Sequence, residues 1–193
     1  MPNPSPVGMS IEDFKAVYQG KNLARPTRYT VQIEPIAGSN IEMPIFQPET
    51  VTLPSRSLHF ASEHFHGPPR RVPIGRLYEN SLIMTLPLDE AQTERTVFEW
   101  WMDQVINPAT DTANGGADSM RANPYHASVI VTTLDYSGDY MSHFRFLECY
   151  PQTILPVQYG FGMFNDYARL QVQFQYRSYI YESVKSNYKT PYN

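Results

Sequence analysis

Residues 169–177, Arg169-Leu170-Gln171-Val172-Gln173-Phe174-Gln175-Tyr176-Arg177, alternate apolar and polar without a break. Successive side chains of a β-strand point to opposite faces, so Leu170, Val172, Phe174 and Tyr176 fall on one side and the three glutamines on the other. A strand patterned this way needs a core under its dry side. Slipping its pairing by one residue would turn that side out to water, so the pattern specifies register as well as secondary structure. The polar side is a ladder of uncharged amides between two arginines. A strand that is merely solvated tends to carry Lys, Glu and Thr; an amide ladder suits a surface along which other molecules slide or pair.

At 193 residues the chain is long enough for one well-buried domain with appendages and short for two. Its 14 tyrosines, and 17 prolines against 10 glycines, describe a strand-rich protein with proline-punctuated connections. The net charge of −4 gives no basic field for gripping nucleic acid. No apolar run reaches the roughly 18 residues of a membrane helix, so no membrane insertion is expected. The opening Met1-Pro2-Asn3-Pro4-Ser5-Pro6 lacks the regions of a secretory signal, which makes cytoplasmic synthesis the expectation. Cys149 is the one cysteine and reads as a small apolar strand residue.

Organisation follows from changes of period. Residues 1–22 read as an N-terminal arm with a short helix from Ser10, the N-cap, to Gln19. Arg28 to Glu34 is a strand with Tyr29, Val31 and Ile33 on one side and Thr30, Gln32 and Glu34 on the other. Short strands are expected at 41–46 and 50–53. Residues 55–80 show little periodicity and many special residues, and are expected to form a long loop or hairpin reaching outward. After a strand at 81–88, Asp89 followed three residues later by Gln92 forms a capping box that starts a helix over 90–106. Phe98, Trp101, Met102 and Val105 make its buried stripe, Arg95 and Glu99 a pair on its exposed side, and Trp100 lies off the stripe. Asn107-Pro108 ends it, and 108–124 is a loop around Asn114-Gly115-Gly116. Strands at 127–134 and 140–149 are joined by the turn Asp135-Tyr136-Ser137-Gly138-Asp139. Tyr150-Pro151 is expected to break the second of them, and 183–193 is a polar C-terminal tail. The fold class is mainly β: antiparallel strands, one helix and arms at both ends.

Catalytic patterns do not assemble. His59, Glu63, His64 and His66 hold two histidines at a spacing that shares a strand face, yet nothing at partnering distance completes a tetrahedral set. Asp111, Asn114 and Asp118 gather oxygens around glycines without the spacing of a calcium loop. Glu94, Glu99 and Asp103 are a solvated helix face, and no nucleophile elbow or phosphate-cradling loop is present. The expectation is a non-enzyme without cofactor or metal, whose work is done by surfaces.

Several segments in order resemble the tail tube proteins of contractile-tailed bacteriophages: Leu23-Ala24-Arg25-Pro26 ahead of Tyr29-x-Val31-x-Ile33, Leu53-Pro54, Val72-Pro73-Ile74-Gly75-Arg76, Asp89-Glu90-Ala91 with Arg95, Phe98 and Trp101, and Tyr150-Pro151-Gln152-Thr153-Ile154. The resemblance spans residues 23–181. It implies a β-sandwich or barrel-like domain over 23–182 with a flanking helix. Such subunits form hexameric rings stacked into a tube inside a sheath, and double-stranded DNA passes down the lumen. Six subunits with four strands each would make a wall of about 24 strands, on the order of 45 Å across.

In those terms the chain is expected to be a structural protein of the virion tail, assembled in the host cytoplasm. Its partners would be itself, the sheath, baseplate and tape-measure proteins, with transient passage of DNA. The same resemblance fits a baseplate tube initiator, or the tube of a contractile injection or type VI-like secretion system. Gln32, Glu34, Gln171, Gln173 and Gln175 are the lumen or barrel-face candidates. Arg28, Arg169 and Arg177, at the ends of these strands, would pair with acidic groups of neighbouring subunits. Arg25, Arg56, His64, His66, Arg70, Arg71, Arg76, Trp100, Tyr188 and Tyr192 are the inter-subunit candidates.

Overall fold

A computed structural model of the chain describes residues 11, 12, 15, 24–34, 46–64, 66–79, 81–113, 125–162 and 166–183. Ile11, Glu12 and Lys15 are helical. The rest of the expected N-terminal helix, the expected strand at 41–45, the glycines at 115–116 and the C-terminal tail from residue 184 lie outside the described residues. The fold is mainly β, antiparallel throughout, with one long helix.

Two sheets share a strand. The first contains β1 (Tyr29–Ile33), β8 (Ala127–Leu134), the first part of β9 (Tyr140–Ile154) and β11 (Ser178–Ser183). The second contains the last part of β9, then β10 (Arg169–Gln175), β5 (Leu82–Pro87) and β2 (Thr50–Thr52). Expecting Tyr150-Pro151 to end a strand at Cys149 therefore fails. Two local devices carry β9 onward. At the corner, Leu147 and Glu148 together oppose Ser128, and Glu148 takes the left-handed φ of 54° that turns the strand. Further on, Phe174 faces Pro151 while Gln173 faces Thr153, so Gln152 is an extra residue. That bulge accommodates a proline, which has no N–H to give a ladder.

Both sheets turn their dry sides to one core, built from Val31 and Ile33 of β1, Leu82, Met84 and Leu86 of β5, Val129 and Val131 of β8, Phe146 of β9, and Leu170, Val172 and Phe174 of β10, with Tyr176 just beyond β10. The period-2 pattern of the last long strand is thus realised residue for residue. Cys149 sits in the same core, where burial pushes its thiol up to about 12 and leaves it unionised at neutral pH.

The helix, α1, runs Thr93–Val105, three residues later than the capping box at Asp89 suggests. Gln92 adopts the left-handed φ of 53°, and its amide leaves the helix to donate to the Tyr159 hydroxyl at 3.2 Å. Asp89 still closes the first turn. Its Oδ1 accepts the Thr93 N–H and its Oδ2 the Thr93 hydroxyl, each at 2.7 Å, while Glu94 rather than Gln92 takes the Asp89 N–H. These bonds hold the Asp89 carboxyl below its usual range. Phe98 and Trp101 are fully buried and both meet Phe174, with ring centroids 5.6 and 5.8 Å apart. The Trp101 Nε1–H donates to the Tyr125 carbonyl at 2.7 Å. Ile106, expected to be the last helical residue, is extended and ends the helix; β6 (Ile106–Asn107) pairs with β7 (Thr112–Ala113), which lies inside the expected loop.

Within the expected loop or hairpin of 55–80, β3 (Arg56–Glu63) pairs antiparallel with β4 (Arg70–Tyr78) and with no other strand among the described residues. Its alternation was invisible in sequence because neither side faces a core.

Candidate assembly surfaces

The hairpin root is fastened to the body. Glu79 accepts the Ser55 hydroxyl at 2.8 Å and the Ser55 N–H at 3.1 Å, which holds its carboxyl below the usual range. Tyr176 donates its hydroxyl to the Glu79 carbonyl. Tyr78 meets Tyr179 edge-on at 5.7 Å, and the Arg56 guanidinium lies 5.8 Å from both rings. Beyond this root Leu58, Phe60, Ile74 and Leu77 are each about half exposed or more. Arg70, Arg71 and Arg76 are exposed along β4, and His64 and His66 at the tip. Arg56, Arg70, Arg71, Arg76, His64 and His66 thus share one projecting ribbon. A two-stranded ribbon with apolar side chains in water is marginal alone. The apolar residues among them were the missed ones; the Leu58-x-Phe60 pair was the signal available.

The remaining candidates scatter. Arg25 stands 5.9 Å from the Tyr136 ring at the turn between β8 and β9, beside Arg28, which donates to the Asp135 carbonyl at 2.8 Å. Trp100 is half-buried against the core, off the hairpin. Tyr188 and Tyr192 lie outside the described residues.

The five polar-face candidates divide between the sheets. Gln32 and Glu34 look out from the first sheet, where Glu34 pairs with Arg145 across three strands at 3.0 Å. Gln171, Gln173 and Gln175 look out from the second, Gln171 and Gln173 in register with Thr85 and Ile83 of β5 and Gln175 with Tyr150 of β9. Thr50 and Thr52 of β2 and Thr153 of β9 continue that side. It is a field of amides and hydroxyls around one apolar residue, Ile83. Because each sheet turns its other side to the common core, the two sets face away from that core on different sheets.

Two of the arginines that end these strands pair with acids of their own chain, while Arg28 donates to backbone carbonyls. Arg169 pairs with Glu49 at 2.9 Å and Asp166 at 3.0 Å, and Arg177 with Glu148 at 2.7 Å. Glu49 is 120 residues from Arg169 in sequence, so no local pattern could have named it. Among the described residues no three His, Cys, Asp or Glu side chains gather as a metal site would require. A cavity of about 360 Å³ opens beside Arg169, between Val157–Gly160 and Asp166–Ala168.

Among the described residues β1, β11, β2 and the last part of β9 each pair on one side only, and β3 and β4 pair only with each other. Open edges pair readily with other chains unless covered.

A sequence profile described as phage tail tube protein matches residues 24–182. No curated protein sequence matches the chain. Among solved structures, one chain of the anti-feeding prophage baseplate is similar at 15% identity, covering 86% of this chain and 99% of that one, with a TM-score of 0.61. A chain of the sheath–tube complex of the extracellular contractile injection system PVC, in its extended state, has a TM-score of 0.59 at 9% identity, covering 88% and 97%. A chain of the sheath/tube terminator of the same system has a TM-score of 0.62 at 9% identity, covering 84% and 99%. At such identities the likeness establishes the fold.

Proposed function

The chain belongs to the phage tail tube protein family, and we propose that it is the repeating tube subunit of a contractile phage tail, assembling into stacked hexameric rings that conduct double-stranded DNA. The observation that carries this reading is the incompleteness of the single copy. Leu58, Phe60, Ile74 and Leu77 stand half exposed or more on a ribbon backed by no other described strand, and β1, β2 and β11 end in open edges. In a ring, edges close against identical neighbours; in a stack, the projecting ribbon reaches the adjacent ring and buries its apolar side chains.

The second sheet is the channel wall in this reading. One lumen takes one of the two outward sides, and the amide and hydroxyl side of β10, β5 and β2 is the one that neither grips nor repels a polyanion, as transit requires. Gln171, Gln173 and Gln175 then line the channel, while Gln32 and Glu34 lie on the first sheet, away from it. Sheath, baseplate and tape-measure proteins are the partners, the virion tail is the location after assembly in the host cytoplasm, and no catalytic step is involved.

Electron microscopy of the purified protein tests the assembly: annular particles or hollow tubes are expected, and a monomer at every concentration would overturn it. Gln173→Lys tests the wall. It is expected to slow DNA ejection; unchanged ejection would remove β10 from the channel.

A second reading has its own support. The structural likeness extends to a baseplate and to an injection-system tube, which favours a baseplate tube initiator or a protein-carrying tube built on the same subunit. Copy number per particle by quantitative mass spectrometry separates these: many copies in DNA-filled virions support the phage tube, a few per particle the initiator, and many in particles lacking a capsid the injection system.

A further inference from the structure

The polar side of the second sheet carries one cation among its described residues, Arg169 at the start of β10, and its surroundings are arranged to neutralise it. Arg169 Nε donates to Glu49 Oε2 at 2.9 Å and Nη1 to Asp166 Oδ1 at 3.0 Å. The guanidinium also lies over the Tyr167 ring, 4.3 Å from its centroid, and the Tyr167 hydroxyl donates to the other oxygen of Glu49. The carboxylate is well aimed because its backbone is part of the sheet: the Glu49 N–H donates to the Thr85 carbonyl at 2.8 Å. The Leu88 N–H to Ala168 carbonyl bond, at 2.9 Å, holds the segment that supplies Asp166 and Tyr167.

We propose that Glu49, supported by Asp166 and Tyr167, is a built-in counterion that prevents Arg169 from gripping the phosphates of duplex DNA; this rests on the reading of this side as the channel wall. An arginine that meets a phosphate displaces a condensed counterion and strengthens binding in a salt-dependent way. In a tube the same residue recurs once per copy, so even weak contacts would sum along a stack and stall transit. With two of its nitrogens bound to carboxylates and one face against an aromatic ring, Arg169 has little left to offer. It also ties residues 166–168 to the sheet, a task that a glutamine could not perform with the same reach or charge.

The test uses tubes of the full chain, with binding of a fluorescein-labelled DNA duplex measured from low to physiological salt. Glu49→Gln with Asp166→Asn is expected to tighten binding about tenfold at low salt and to steepen its salt dependence by about 0.9 per new phosphate contact. Adding Arg169→Gln to that pair is expected to return binding to the wild-type level. Should the double variant fail to form tubes, Glu49→Gln alone carries the test, with binding expected about threefold tighter. Variant tubes that bind DNA like wild type, or tighter binding that persists after Arg169 is replaced, would overturn the proposal and leave the tube reading standing. Wild-type protein that forms no annular particles would overturn both.

Discussion

The hairpin β3–β4 and the second sheet are both antiparallel, yet they spend their side chains in opposite ways. In the sheet, every second residue of β5 and β10 is buried and the other side is neutral, its arginine, Arg169, matched with carboxylates of the same chain. In the hairpin, apolar and basic residues are exposed together, and its root, at Tyr78, Arg56 and Glu79, is tied to the body. One region is complete within a copy. The other gains by meeting something else, and a side chain's contribution should therefore depend on which region holds it.

The largest expected effect tests the hairpin. Deleting residues 60–68 should abolish tube growth while leaving the single copy folded, and Ile74→Asp with Leu77→Asp should do the same while changing its unfolding free energy by less than about 0.5 kcal/mol per substitution, the usual range for surface changes. Electron microscopy and urea denaturation of the same sample decide it. Normal-length tubes, or a copy that unfolds along with the loss of assembly, would erase the contrast.

In the sheet the order reverses. Phe174→Ala removes a fully buried ring packed on Phe98 and Trp101 and should destabilise the subunit by about 3 to 5 kcal/mol in urea. A loss below about 1 kcal/mol would mean that the core is less continuous than its packing implies.

Alkaline pH probes the same core. Burial raises both Tyr176 and Cys149 to about 12, from ordinary values of 10.0 and 9.0. The unfolded chain therefore loses these protons at lower pH than the folded one. Their contribution is whole below about pH 9 and declines as pH rises through about 12. Tyr176→Phe should flatten the upper part of that decline in a pH series of thermal melts; an unchanged profile would contradict the burial of the phenol.

The smallest effect belongs on the helix surface. Arg95→Ala breaks a 3.3 Å pair with Glu99, both side chains being well exposed, and should cost about 0.3 to 0.5 kcal/mol, with less at high salt.

Much of the body could be read from the sequence because burial leaves a period. The alternation of Leu170 to Tyr176, the shorter one of Tyr29 to Ile33, and the stripe of Phe98 and Trp101 all mark faces that meet the core. The turn at Asp135 was legible for a local reason: its Oδ1 accepts the Ser137 and Asp139 N–H groups, and Gly138 takes a φ of 90°. What was hidden depends on distant partners or on exposure. Pro151 looks like a strand end until Gln152 is seen bulging opposite β10. The hairpin has no period because neither of its sides is dry. Nothing near Gln32 or Gln173 tells that they look out from different sheets, since that division is made by the corner at Glu148.

That corner has a mechanical consequence. Because β9 belongs to both sheets, a pull on either one is carried to the other along a covalent chain, not merely through side chains that could slip. In the proposed tube, walls under load must not shear layer from layer, and one strand of fifteen residues running through both layers would resist that in each copy.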